Sequence, residues 1–242
     1  MLIDKAQDPI GSALLDYFQT TENAPITVKM DIADDDTLSP SYFFRTYDEC
    51  PELEQLAMQN AKGKVLDVGA GAGSHSLYLQ EKGLNVTAID VSPNSVEVMK
   101  KRGLRNVQLI DYYDFQDGSF DTLLLLMNGI GLVKTLEGFD KFFTHAKKLL
   151  APDGQILLDS SDLIYMFEEE DGSYLIDMNG KYHGEVEFNL SYKGISGEPF
   201  NWLYVAEELL QDAADANGFD CEIIKQGPHY DYLAKLTFKG SE

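Results

Sequence analysis

Asp67 stands two residues before the first of three alternate glycines, in Asp67-Val68-Gly69-Ala70-Gly71-Ala72-Gly73. Glycines in such a run let a ligand approach the backbone and permit turns with positive φ. A second acid, Asp90, lies about 20 residues beyond the first glycine, where an acid bonds ribose hydroxyls. Each charge-assisted bond of that kind is worth roughly 1.5–3 kcal/mol. A phosphate-cradling loop needs Gly-Lys-Ser/Thr after its glycines, and Gly73-Ser74-His75 has no lysine. A dinucleotide fingerprint needs a glycine in the sixth place, where Ser74 stands. The carboxylate of Asp67 repels a pyrophosphate and suits a ligand that carries an ammonium group.

Strands and helices must hold these acids in place. The apolar run at 64–69 reads as a buried strand, and Leu77, Tyr78 and Leu79 suit a helix over 74–82 packed on a sheet. Further strands are expected at 85–90, 106–110, 119–127 and 154–159, with helices at 94–102 and 137–149. Ser92 caps the helix that Pro93 opens. Such alternation predicts a parallel sheet covered on both faces. Loops after its strands collect at the carboxyl edge, so Asp67, Asp90, Asp111, Asn128 and Asp159 should share one rim.

At these positions the sequence resembles the class I S-adenosylmethionine-dependent methyltransferases. Their first motif, an acid followed by Gly-x-Gly-x-Gly, is met by Asp67 to Gly73, and the acid ending their second strand is met by Asp90. Asp111 with Tyr112, after the strand Val107-Gln108-Leu109-Ile110, stands where the family often contacts adenine. The resemblance covers residues 60 to 162 well and the order of later elements more loosely. It implies an α/β fold: a three-layer Rossmann-like sandwich on a mostly parallel seven-stranded sheet, with an antiparallel C-terminal strand and an inserted β-hairpin. It also implies S-adenosyl-L-methionine as cofactor, held by Asp67, Gly69, Ala70, Gly71, Gly73, Asp90, Val91, Asp111, Tyr112 and Asn128. Arg45 would meet the methionine carboxylate, or else be a surface arginine stacked on a tyrosine.

Composition narrows the partners. The 242 residues suffice for one domain. A net charge of −22, from 41 acids against 19 bases, argues against nucleic acid and against an anionic membrane surface. Cys50 and Cys221 are too few for a disulfide framework and are expected as reduced, buried thiols. With no secretory core at Met1–Lys5 and no apolar run of membrane-spanning length, a soluble, cytoplasmic protein is expected, as monomer or homodimer.

The expected division is a single domain: a helical cap over 1–60, a cofactor-binding core over 61–162, an inserted hairpin or lid over 163–205, and a C-terminal helix with closing strands over 206–242. Within the cap, a helix is expected over 8–20 and another near 51–60, while Asp31 to Asp36 reads as a solvated acidic loop. The stretch 185–192 alternates polar and apolar residues and pairs with 200–205, as substrate wall, sheet extension or dimer contact. Two final strands, 219–226 and 231–239, meet at Gly227-Pro228-His229-Tyr230.

Methyl transfer needs a general base only if the acceptor must lose a proton. Of the histidines, His229 sits on the ligand-side turn and is the catalytic candidate; His183 belongs to the inserted hairpin, His75 to the loop–helix junction and His145 to a helix surface. Asn128-Gly129-Ile130-Gly131 lacks the Pro-Pro-aromatic that follows the fourth strand in enzymes methylating base nitrogens, which favours a small-molecule oxygen or nitrogen acceptor. Two other readings stay open: an NAD(P)-binding oxidoreductase, weakened by Asp67 and Ser74, and a regulatory protein that binds S-adenosylmethionine without turnover.

Overall fold

The computed structural model describes residues 1–176 and 180–239; residues 177–179 of the expected insertion lie outside it. In chain order the elements are α1 (Pro9–Thr20), β1 (Ile26–Met30), β2 (Ala33–Leu38), α2 (Glu52–Asn60), β3 (Lys64–Val68), α3 (Ser74–Glu81), β4 (Asn85–Asp90), α4 (Pro93–Lys101), β5 (Val107–Leu109), β6 (Phe120–Leu125), α5 (Phe139–Leu149), β7 (Leu150–Ser161), β8 (Glu185–Tyr192), β9 (Ile195–Ser196), β10 (Phe200–Leu203), α6 (Glu207–Ala216), β11 (Phe219–Gln226) and β12 (Asp231–Phe238).

The central sheet has seven strands in the order β11-β12-β7-β6-β3-β4-β5. Strands β3 to β7 pair in parallel, and β12 runs antiparallel between β7 and β11. Successive side chains on its strands point to opposite faces. Leu66, Leu123, Leu125, Ile156, Leu158 and Ala234 pack with α5 and α6, while Val65, Leu124, Leu126, Leu157 and Leu233 pack with α2 and α3. Full burial of both faces explains the unbroken leucine run at 123–126. Helix α1 opens on Pro9 behind Asp8, whose side chain accepts the Gly11 N–H at 2.9 Å. Ser92 does the same for α4, accepting from Ser95 at 2.9 Å. Among the described residues, no helix is long and apolar enough to cross a membrane.

The expected hairpin forms, with β8 and β10 antiparallel, but it does not stand alone. Strand β8 also pairs with β1, and β1 with β2, giving a second sheet in the order β10-β8-β1-β2 with β9 beside β8. The helical cap expected over 1–60 therefore carries two strands. The acidic segment expected as a loop is mostly strand β2, an exposed sheet edge whose aspartates are a poor template for further pairing. Aspartate disfavours strands, but backbone pairing with β1 outweighs that weak local preference. The inner face of this sheet is apolar: Val28, Met30, Val186, Phe188, Trp202 and Tyr204 cluster with Leu163.

Candidate functional site

Strand β3 ends at Val68, and the next two N–H groups, of Gly69 and Ala70, both donate to the Ile89 carbonyl of β4, at 2.9 and 3.1 Å. That turns the chain across the carboxyl edge. Gly69, Gly71 and Gly73 all have positive φ, at 71°, 57° and 80°. A Cβ on Gly69 would meet nothing within 4 Å, and one on Gly71 only the Phe43 ring at 3.5 Å. On Gly73 it would strike Leu104 at 2.6 Å and Met99 at 2.9 Å. The first two glycines leave a bare bend open to a ligand, and the third seats α3 against α4 and the segment after it. The bend therefore fits an adenosyl group lying against its backbone.

Two acids flank the bend. Asp67 is buried and accepts from the Ser76 hydroxyl at 2.7 Å; burial raises its pKa, with His75 pulling the other way. Asp90 accepts the Gly71 N–H on one oxygen and the Ser92 N–H on the other, each at 2.8 Å. Burial, with the charges of Asp8 and Asp67 adding to it, lifts its pKa to about 6. A third acid, Asp159, lies near the carboxyl end of β7. Its two oxygens accept the N–H groups of Met127 at 3.2 Å and Asn128 at 2.7 Å, residues with positive φ of 61° and 57°. Although the residue is only half-buried, its carboxyl group is desolvated, and its pKa rises to about 7.

Cations balance these acids from below. Arg45 donates through Nη2 to both Glu54 oxygens, at 2.9 and 3.0 Å, and stacks 3.6 Å from the Tyr42 ring centroid. The His75 ring meets Glu54 at 2.6 Å. Burial would lower the His75 pKa, but hydrogen bonds to Cys50 and Glu54 and the charge of Asp67 lift it to about 10. Ligand atoms of Cys50, Glu54 and His75 lie within 4.8 Å of one another, a spacing that suits a metal. Glu54, however, is already paired with a guanidinium and an imidazolium, so its carboxylate is taken up by two cations of the chain itself. The sequence did not mark Glu54, whose helix position looks like any surface acid. Arg45, expected to meet a methionine carboxylate, has its charge paired with Glu54 and stacks on a tyrosine.

Other expected site residues sit differently. Tyr112 turns away from the rim into the core, against Phe142 and His145 at centroid distances of 5.7 and 4.8 Å. Aromatic packing under α5 outweighs the rim position, so only its backbone stays at the edge. Asn128 is a joint between the two sheets. Its side chain donates to the Leu203 carbonyl at 3.1 Å and accepts from the Ser160 hydroxyl at 2.9 Å, and its carbonyl accepts from Trp202 at 3.0 Å. The amide is thus engaged once as donor and once as acceptor within the fold. Asp111 stays on the rim, accepting the Tyr113 N–H at 2.9 Å and paired with the Met1 ammonium. The Val91 carbonyl accepts the Ile3 N–H at 3.0 Å, so residues 1–3 lie across this end of the rim. His229 is exposed on the β11–β12 turn, beside the carboxyl end of β7, and its N–H donates to Asp231 at 2.9 Å. Cys50 is buried and Cys221 half-buried, both as free thiols.

A family profile described as a methyltransferase domain matches residues 66–158. A curated, uncharacterized methyltransferase of Staphylococcus carnosus is 29% identical over 186 residues, which is 76% of this chain and 83% of that protein. The 2-heptyl-1-hydroxyquinolin-4(1H)-one methyltransferase of Mycobacteroides abscessus is 34% identical over 83 residues, 31% of this chain and 37% of its own length. A crystal structure of a SAM-dependent methyltransferase from Bacteroides fragilis, in complex with S-adenosyl-L-homocysteine, superposes with a TM-score of 0.93 at 45% identity, covering 98% of each chain. With this fold, an open glycine bend between two acids and that similarity along nearly its whole length, the chain belongs to the S-adenosylmethionine-dependent methyltransferases.

Proposed function

We propose that the protein transfers a methyl group from S-adenosylmethionine to an oxygen or nitrogen of a small-molecule acceptor, bound between the carboxyl edge of the central sheet and the inner face of the second sheet. The observation that carries this reading is the joint at Asn128. By bonding Leu203, Trp202 and Ser160, it holds the second sheet over the exits of β6 and β7. Tyr204 on that sheet lies near Asp159 and Tyr165, and burial raises its pKa to about 12, so its hydroxyl stays protonated. A roof of this kind, lined by tyrosines and a carboxyl group, suits a small polar molecule better than a polymer. The net charge of −22 also disfavours a nucleic-acid acceptor, and the mycobacterial relative is named for a small-molecule substrate.

In this reading Asp67 meets the cofactor's ammonium group and Asp90 its ribose hydroxyls. Gly69, Ala70 and Gly71 offer bare backbone, and Val91 and Asp111 border the adenine. The cofactor supplies a methyl group already activated on a sulfonium sulfur. The chain's task is then to align the acceptor and exclude water; orientation alone can contribute about 7–11 kcal/mol. The oxidoreductase alternative is displaced by the family assignment. Labelled-methyl transfer into fractionated metabolites, RNA, DNA and protein tests the acceptor class. Label in the small-molecule fraction is expected, and label confined to polymer would overturn the reading. Cytoplasmic residence is part of the same proposal.

A further inference from the structure

We propose that His183, oriented by Asp162, is the catalytic base that takes the acceptor's proton, in place of His229. The inference rests on the functional reading above. Asp162 follows β7 three residues beyond Asp159, at the carboxyl edge where the two sheets meet. Its carboxylate meets the His183 Nε2 at 2.8 Å. A carboxylate cannot donate a hydrogen bond when ionised, so it holds the neutral ring with its proton on Nε2 and leaves the Nδ1 lone pair to receive another. That is the logic by which a buried acid sets the tautomer of a catalytic histidine.

Hydrogen bonds anchor Asp162 and the residues flanking His183. The Asp162 N–H donates to the Tyr230 carbonyl at 3.0 Å, and its carboxylate also accepts the Ile164 N–H at 2.9 Å. On either side of His183, the Tyr182 hydroxyl accepts the Ala206 N–H at 3.1 Å and the Gly184 carbonyl accepts the Tyr204 N–H at 2.8 Å. The ring lies beside Phe167, at 5.8 Å between centroids, and 12% of the side chain remains exposed. Tyr165 and Tyr230, stacked at 5.6 Å and both exposed, stand beside Asp162.

The other three histidines lack this combination. His75 keeps its proton on the Glu54 side up to about pH 10 and so cannot accept one near neutrality. His145 is enclosed on α5 with Tyr112 and Tyr113. His229 is exposed, on a turn whose backbone, through Tyr230, serves to hold Asp162. In the proposed step the acceptor's O–H or N–H proton passes to His183 Nδ1. The electron pair left on the acceptor bonds the methyl carbon, the sulfur keeps the pair of the broken C–S bond, and the imidazolium returns its proton to solvent.

Imidazole nitrogen NMR of the full chain with S-adenosylhomocysteine bound reads the tautomer without turnover. Wild type at pH 8 is expected to show His183 as the Nε2–H form, and Asp162→Asn a mixture of forms; an Nδ1–H form in wild type would overturn the proposal. Among the described residues, the other titratable groups around the dyad are Tyr182, Tyr165, Tyr230 and Tyr174 with the carboxylates of Glu168, Glu185 and Glu208. With the acceptor that the labelled-methyl screen returns, His183→Gln should lower kcat by about 10²–10⁴-fold and flatten the acid limb of the rate profile. Affinity for S-adenosylhomocysteine should stay within about twofold, which also verifies folding, and added imidazole should partly rescue His183→Ala. An unchanged kcat and pH profile in His183→Gln would defeat the assignment. A screen that labels no small molecule would defeat the functional reading instead, while the tautomer still decides whether Asp162 orients the ring.

Discussion

Asp90 accepts N–H groups from Gly71 and Ser92, so its carboxylate braces the bend at the strand end where the cofactor's ribose is expected. Replacing it with alanine should weaken S-adenosylmethionine binding by about 2–3 kcal/mol in calorimetric titration, the value of its lost charge-assisted bonds. Unchanged affinity would remove the ribose assignment. His75 shows how far hydrogen-bond partners and a nearby carboxylate can raise a pKa that burial alone would lower. Its folded pKa of about 10 lies above its ordinary 6.5. The stabilisation it supplies is therefore complete below about pH 6.5 and lost as pH rises through 10. Urea unfolding of wild type and His75→Gln should differ most at pH 6 and converge by about pH 11. A gap that does not narrow would mean the ring acts by packing alone.

At the scale of elements, the three glycines divide between ligand access and packing. Alanine at Gly69 would point into open space, so the cost in stability should be only the strain of positive φ, roughly 1–3 kcal/mol. Cofactor affinity should fall sharply, because the methyl group fills the bend. Alanine at Gly73 carries the same strain and also collides with Leu104 and Met99, so it should cost more stability than Gly69→Ala. Paired unfolding and binding measurements check this; equal losses in both variants would show that the division is wrong. The second sheet adds a lesson about register. The period-two pattern at 185–192 marked β8 as a strand paired with the 200–205 stretch, but its second neighbour, β1, lies more than 150 residues earlier.

Over the whole molecule, burial lifts the pKa values of the rim acids, with the charges of Asp8 and Asp67 adding to it at Asp90 and that of Glu54 at Asp159. Asp90 and Asp159 have folded pKa values of about 6 and 7, above the ordinary 3.8. Their contribution to stability is thus full below about pH 4 and lost as pH rises through 6 and 7. The cofactor-free protein should become easier to unfold between pH 5 and pH 8. Binding a sulfonium favours the charged acids, so at pH 6.5 S-adenosylmethionine should release more protons than S-adenosylhomocysteine does. Calorimetry in buffers of different ionisation enthalpy measures that difference, and equal release would mean the rim acids do not sense the sulfonium. The amino-acid sequence by itself determined the alternation of strands and helices, the glycine bend and the acids beside it. Each is written in neighbouring residues, through hydrophobic period and backbone freedom. Only the tertiary structure decided that Tyr112 turns inward, that Asn128 joins two sheets, that Arg45 and His75 share Glu54, and that His183 meets Asp162. Apart from Arg45–Glu54, nine residues apart, those pairings span 21 residues or more along the chain and follow from which surfaces the folded core brings together, which no local pattern encodes.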